Sequence, residues 1–207
     1  ADHKRALCDE DMKKVFTRLP SSSAIPLAVR RAQDMFVLMF LLRGLPFVDL
    51  AYLRKSDLRD NVIIYRRRKT GRPLSVTLTP EALELLKKYM NRDSHSPYLF
   101  PLLKSGEGTK EAYREYQLAL RSFNQQLTLL GKVLGLNDRL SSYTARHTWA
   151  TTAYYCEIHP GIISEAMGHS SIKVTETYLK PFRNKKIDEA NNQIIDFVKH
   201  SIAGVVA

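Results

Sequence analysis

From Thr109 the apolar residues recur as Tyr113, Tyr116, Leu120, Phe123, Leu127, Leu130 and Leu134, in alternating steps of three and four. Only a helix brings residues at that spacing to one side, and a stripe this long needs a surface to cover it. Gly135 stops the pattern, so the chain must build its core around one long amphipathic helix. A second helix opens at Pro26, runs through AVRRAQDMFVLMFLL to about Leu42, and breaks at Gly44 and Pro46. Its run Met35 to Leu42 holds eight apolar residues, far short of the roughly 18 that a membrane span needs. It reads as a buried helix segment.

Elsewhere the period changes. A short helix is expected around FVDLAYLRKSDL, and then Val62-Ile63-Ile64-Tyr65 and Leu74-Ser75-Val76-Thr77-Leu78 flank Lys69-Thr70-Gly71-Arg72-Pro73. These runs predict a hairpin with its turn near Gly71. Thr79-Pro80-Glu81 is a helix start, with an N-cap, a proline at the first position and an acid in the first turn. Residues 92–108 are punctuated loop. Further helices are expected at about 143–156, 160–167 and 171–179. A last amphipathic segment carries Ile187, Ile194, Ile195, Val198 and Ile202. No internal repeat and no strong linker divides the 207 residues. The expected class is α+β, mainly helical, with a small antiparallel sheet.

Composition narrows the partners. Apolar residues make up 44% and charged ones 26%, an ordinary globular balance. Thirty-two Lys and Arg against 21 Asp and Glu leave a net charge of +11. A domain this basic meets a polyanion. Nucleic acid comes before membrane, because no basic stretch carries a Trp/Phe/Leu face. Cys8 and Cys156 form no disulfide framework and read as free thiols of a reducing cytosol. Residues 1–14 contain no apolar signal segment, and a cytoplasmic location is expected.

Chemistry concentrates in two stretches: Ser142-Tyr143-Thr144-Ala145-Arg146-His147, and Met167-Gly168-His169 through to Tyr178. Arg146 lies near a helix start, one turn from Tyr143. Gly168 ends a helix and places His169 in a tight joint, with Tyr178 nine residues on, on the short helix that follows. An Arg, a His and a Tyr on neighbouring short helices of a basic protein point to a phosphodiester site.

This arrangement resembles the tyrosine recombinases of the phage-integrase family, whose second box runs His-x-x-Arg-His, then Leu-Gly-His, then a Tyr nine residues later. It is most similar to integrases and invertases of bacteroidete mobile elements. Their Arg-Gly-Met-x-Phe-x-Asp, Tyr-x-Arg-x-Lys-Thr-Gly and Tyr-x-Ala-Arg-His are matched in order by Arg43-Gly44-Leu45-Pro46-Phe47-Val48-Asp49, Tyr65-Arg66-Arg67-Arg68-Lys69-Thr70-Gly71 and Tyr143-Thr144-Ala145-Arg146-His147. The resemblance implies a catalytic domain over residues 1–207, with an N-terminal core-binding domain removed and a C-terminal helix over 183–207.

It also implies roles. Tyr178 is the nucleophile, leaving a 3′-phosphotyrosyl bond and a free 5′-hydroxyl. Arg146 clamps the non-bridging oxygens and His169 adds a hydrogen bond to the same phosphate. Lys69 protonates the leaving 5′ oxygen, and Arg66, Arg67, Arg68 and Arg72 around it are expected to lie along the DNA backbone. No metal and no other cofactor is implied. The implied partners are double-stranded DNA, a homotetramer on paired recombination sites and accessory DNA-bending proteins, with no membrane.

Two departures stand out. Tyr143 occupies the place of the second-box His, and a phenol can donate to a phosphate but is a poor base at neutral pH. Pro46 fills the slot of the usual first arginine, with Asp49 in place of the acid and Arg43, three residues earlier, as the substitute cation. A catalytically silent DNA-binding module, a type IB topoisomerase-like enzyme and a metal-dependent nuclease are the competing readings. Asp49, Asp57 and Asp60 form no recognisable cluster for the last.

Overall fold

From Met35 onward Leu27–Leu41 is apolar on every side, which makes this helix, α2, the centre of the core. In the computed structural model, which describes residues 6–21, 24–178 and 181–206, it lies buried against the elements that follow it. Phe36, Leu38 and Met39 have no exposed surface. Burying each such side chain contributes roughly 1.5–3 kcal/mol. α1 (Asp9–Phe16) precedes it. After it come α3 (Phe47–Tyr52), a 3-10 turn over Lys55–Asp57, and the strands β1 (Leu58–Arg59), β2 (Val62–Arg66) and β3 (Pro73–Thr77). The short helix expected around FVDLAYLRKSDL is therefore cut at Tyr52, and a two-residue strand appears that the sequence pattern did not mark. The sheet is antiparallel in the order β1-β2-β3, with Ile63 opposite Val76 and Arg66 opposite Pro73.

Thr79 caps α4 (Pro80–Tyr89) by accepting the Ala82 N–H, and Thr109 caps α5 (Lys110–Leu134) by accepting that of Ala112. α5 packs along α2 through Phe123, Leu127 and Leu130. Tyr113, read as part of that stripe, is instead 55% exposed, because the helix runs past the core at its first turn. α6 (Thr144–Tyr155), α7 (Pro160–Met167) and α8 (Ile172–Glu176) complete this part of the fold.

Two compact units result, Ala1–Thr177 and Tyr178–Ala207. The second holds α9 (Asn184–Val206), whose Ile187, Ile194, Ile195, Val198 and Ile202 are exposed. The expected helix over 171–179 ends early. Thr177 is its C-cap and Tyr178 lies in a turn beyond it. The β-branched Val174, Thr175 and Thr177 are weak helix formers, and Pro181 lies just downstream. Among the described residues no helix is long and apolar enough to cross a membrane.

At the end of α2, Arg43 and Gly44 both take left-handed φ values, 63° and 68°. Gly44 is pressed against the start of α6, and a Cβ on it would stand 2.8 Å from Cα of Arg146. Gly71 has a similar φ of 69° and nothing within 4 Å. Gly71→Ala should therefore cost about 1 kcal/mol, the backbone penalty alone. Gly44→Ala should cost at least about 2 kcal/mol, because crowding is added. Urea unfolding of the two variants measures the difference, and equal losses would remove the packing argument.

Candidate active site

α7 ends at Gly168 in the left-handed conformation, and the His169 N–H folds back onto the carbonyl of Ser164. A helix end leaves carbonyls that need donors and draws positive charge. Two arginines meet that need. Arg146, in the first turn of α6, donates from Nη2 to the Met167 carbonyl at 2.9 Å and from Nη1 to the Gly44 carbonyl at 3.0 Å. Arg67, just after β2, donates from Nη1 to the carbonyls of Met167 and Gly168, at 3.3 and 3.2 Å.

The hairpin is fastened to the same joint. The Thr70 hydroxyl donates to the Gly168 carbonyl at 3.0 Å, and Arg72 Nη2 to the Ser170 carbonyl at 2.9 Å. Lys69, between them in the turn, is exposed. His169 is 5% exposed, and its Nδ1 lies 2.7 Å from Oγ1 of the buried Thr175. Burial, followed by the charges of Arg146, Arg67 and Lys69, pushes its imidazole down to about 4. The ring is neutral at pH 7.

Asp49, in the first turn of α3, is 3% exposed. Its Oδ1 accepts the Arg68 N–H at 3.0 Å, and its Oδ2 stands 3.6 Å from Arg67 Nε. Burial raises its carboxyl above the ordinary range, while the Arg68 N–H, Arg67 and Arg146 pull the other way. Tyr65, on β2, faces the same charges, and burial and then Asp49 raise its phenol. Arg43 also acts on Tyr65, and its Nη2 donates to the Ser75 carbonyl on β3 at 3.1 Å.

The first unit thus gathers Arg146, His169 and the turn of Lys69 at one joint, with Arg43, at the end of α2, bonded to the adjoining strand β3. Tyr143, at the N-cap of α6, is 62% exposed. Tyr178 is the first residue of the second unit.

One expectation is corrected. Arg67 does not lie along an outer surface with Arg66, Arg68 and Arg72. It is 6% exposed and turned into the joint, because strand alternation puts Ile63, Tyr65 and residue 67 on the inner face. Arg66 is exposed and bonds the Gly71 carbonyl. Arg68 lies over the Tyr52 ring and pairs with Glu107 at 2.6 Å. The sequence pattern assigns no bonding role to the hydroxyls of Thr175 and Thr70. The alternation was a usable sign for Arg67, whereas nothing local marks a threonine that bonds across a joint.

Among the described residues, one group of metal-donor side chains falls together, Cys8, Asp11 and Asp138. Asp11 already accepts the N–H groups of Asn137 and Asp138, at 3.1 and 2.9 Å, and so ties α1 to the loop after α5.

The His169 environment has a consequence for stability. The unfolded chain binds its imidazole proton near 6.5 and the folded one near 4. Between these values the unfolded state holds more protons, so stability falls as pH drops through this window. The loss should reach on the order of 2 kcal/mol. Urea unfolding of wild type and His169→Asn at about pH 7 and about pH 4.5 isolates it, and equal acid sensitivity of the two would contradict the assignment.

Comparison with known proteins finds relatives of this chain in both sequence and fold. The model of the phage integrase family matches residues 10–185. Tyrosine recombinase XerA of Thermococcus onnurineus is 28% identical over 179 residues, 85% of this chain and 58% of that protein. Tyrosine recombinase XerC of Neisseria gonorrhoeae is 27% identical over 163 residues, 78% of this chain and 50% of that protein. The chain thus spans between half and three fifths of these curated relatives. In fold it is similar to the Tn1549 transposon integrase in complex with transposon right end DNA. There the TM-score is 0.67 at 15% identity, covering 94% of this chain and 67% of that one. A crystal structure of XerA recombinase gives a TM-score of 0.56 at 19% identity, covering 91% and 64%. The chain, mainly helical with a three-stranded antiparallel sheet, belongs to the phage integrase family.

Proposed function

We propose that this chain is the catalytic domain of a site-specific DNA recombinase that cleaves and rejoins double-stranded DNA through a covalent phosphotyrosine. The observation that carries the reading is the convergence of Arg146, Arg67 and Lys69 on His169, with the Arg43 guanidinium bonded to the β3 backbone. Asp49 supplies negative charge beside Tyr65, against the positive charges of Arg146, Arg67 and Arg43. A cationic, partly desolvated joint of this kind favours a bound anion, and a phosphodiester is the anion that suits a chain of charge +11. The tyrosine recombinases among its relatives support the same reading.

In this mechanism the Tyr178 oxygen attacks the scissile phosphorus, the bond to the 5′ oxygen breaks, and Lys69 gives that oxygen its proton. Arg146, held by the Gly44 and Met167 carbonyls, presents its guanidinium to the non-bridging oxygens. Tyr143 and His169 donate to the same group. Arg43 takes the part of the missing first arginine after leaving the Ser75 carbonyl, while Arg66, Arg68 and Arg72 meet the DNA backbone. The phosphotyrosyl bond conserves the energy of the broken ester, and attack by a second 5′-hydroxyl restores it in a new strand. The motifs at residues 43–49, 65–71 and 143–147 support a bacteroidete mobile-element lineage. The corresponding job is integration, excision or inversion in the cytoplasm, with accessory DNA-bending proteins.

Assembly as a homotetramer on paired sites is supported by α9, which exposes Ile194, Phe197 and Ile202. The first unit offers an apolar groove of about 670 Å³ that includes Phe40, Trp149, Ile158 and Ile162. In this reading the groove receives the α9 of a neighbouring copy. Deleting residues 187–207 should therefore spare a single strand cleavage and impair assembly on paired sites in gel-shift experiments. Equal loss of both would mean that α9 serves only its own chain.

The central test uses a pool of nicked duplexes of randomised sequence in EDTA. Wild type should form a denaturation-resistant protein–DNA adduct, and Tyr178→Phe should form none. Adducts that survive Tyr178→Phe, or cleavage that needs magnesium, would falsify the mechanism. Binding without any adduct would instead favour a silent DNA-binding module.

A further inference from the structure

His169 is held by a partner on the next helix. Thr175 is fully buried in α8, and its Oγ1 lies 2.7 Å from Nδ1 of His169. Among the described residues this is the hydroxyl's one hydrogen bond. A threonine hydroxyl carries a single hydrogen, and a neutral imidazole carries one ring hydrogen and one lone pair. Two arrangements can fill a 2.7 Å gap. If Nδ1–H donated to Oγ1, the hydroxyl hydrogen would be left in the interior with no acceptor, a costly state. If the hydroxyl donates into the Nδ1 lone pair, both atoms are satisfied and the ring hydrogen sits on Nε2. Burial, reinforced by the surrounding cations, excludes the doubly protonated ring at neutral pH, so these two arrangements are the complete set.

We propose that Thr175 is a positioning residue that holds His169 as its Nε2–H tautomer, so that the ring can only donate a hydrogen bond in the reaction and cannot serve as the base for Tyr178. The proposal rests on the phosphotransfer reading of the joint, with Nε2–H as the donor to a non-bridging oxygen. A free imidazole samples both tautomers. Here a buried hydroxyl with one hydrogen to place makes the choice, and α8 sets the distance. The proton of Tyr178 then leaves by another route.

The ring nitrogens of His169 in the ¹⁵N-labelled full chain report the tautomer directly by long-range ¹H–¹⁵N correlation, with His169→Asn identifying the signals. At neutral pH Nδ1 should appear as the unprotonated nitrogen and Nε2 as the protonated one. Thr175→Val keeps the shape and removes the hydroxyl. It should release the ring into a tautomer mixture and lower single-turnover cleavage of a nicked duplex about tenfold. Thr175→Ser should restore both. A protonated Nδ1 in the wild type, an unchanged spectrum in Thr175→Val, or a changed spectrum with wild-type cleavage would each overturn the proposal. If Thr175→Val fails to fold, the wild-type and Thr175→Ser spectra decide the matter, since both must show Nε2–H. His169→Ala keeps the two readings apart. Wild-type cleavage by that variant would end the catalytic reading of His169, while the spectra still report what Thr175 does to the ring.

Discussion

The carbonyls at the end of α7 organise the site. A helix that closes on a left-handed glycine leaves Met167 and Gly168 oxygens in need of donors, at the negative end of the helix dipole. Arg146 reaches them from α6 and Arg67 from the hairpin. Two elements separated by some eighty residues of sequence are thereby referred to one point. The Thr70 hydroxyl on the Gly168 carbonyl and Arg72 on the Ser170 carbonyl repeat the contact. The position of the Lys69 turn relative to His169 is thus set by hydrogen bonds to backbone rather than by side-chain packing.

Crowding cations in a buried joint is repulsive unless something offsets it, and Asp49 does so. Its carboxylate holds the backbone of Arg68 through one oxygen and faces Arg67 with the other. Among the described residues neither Oδ2 of Asp49 nor Nε of Arg67 has a hydrogen-bond partner, and the two face each other at 3.6 Å as an ion pair. Breaking such a pair is expensive because a buried charge is left behind. The family's usual acid one turn into this helix therefore has a structural task here: it anchors the hairpin that carries the proposed general acid. The same buried environment raises Tyr65 and lowers His169, which keeps both side chains neutral among charged neighbours.

Much of this fold is legible in the sequence where a local rule and the tertiary demand agree. α5 follows from a stripe in steps of three and four between a threonine cap and Gly135, and the hairpin from two β-branched runs around Gly71. The reading failed where the two diverge. The stripe continues through Tyr113, but the core ends before it. The run 171–179 looks helical in outline, yet only Ile172–Glu176 closes, because β-branched residues and a nearby proline weaken the rest. Arg67 sits in a row of arginines whose common charge suggests a common task, and only the pleat of β2 separates it from Arg66 and Arg68.

By itself the sequence marked which residues are candidates for the chemistry and in what order, because catalytic side chains are rare types at fixed spacings. Arg146, His169, Lys69 and Tyr178 stand out without coordinates. So does the basic charge that calls for a polyanion, since composition needs no fold to be summed. Tertiary structure alone decided what each of these side chains is bonded to. Arg67 became an internal strut, Arg43 a donor to β3, and Thr175 the partner of His169. A hydrogen bond depends on atoms within about 3 Å of each other, and chain separation says little about which atoms those will be. The left-handed residue at Gly44 and the carbonyls it helps align with Arg146 belong to that second category. Their role exists only because α6 comes to rest against the end of α2.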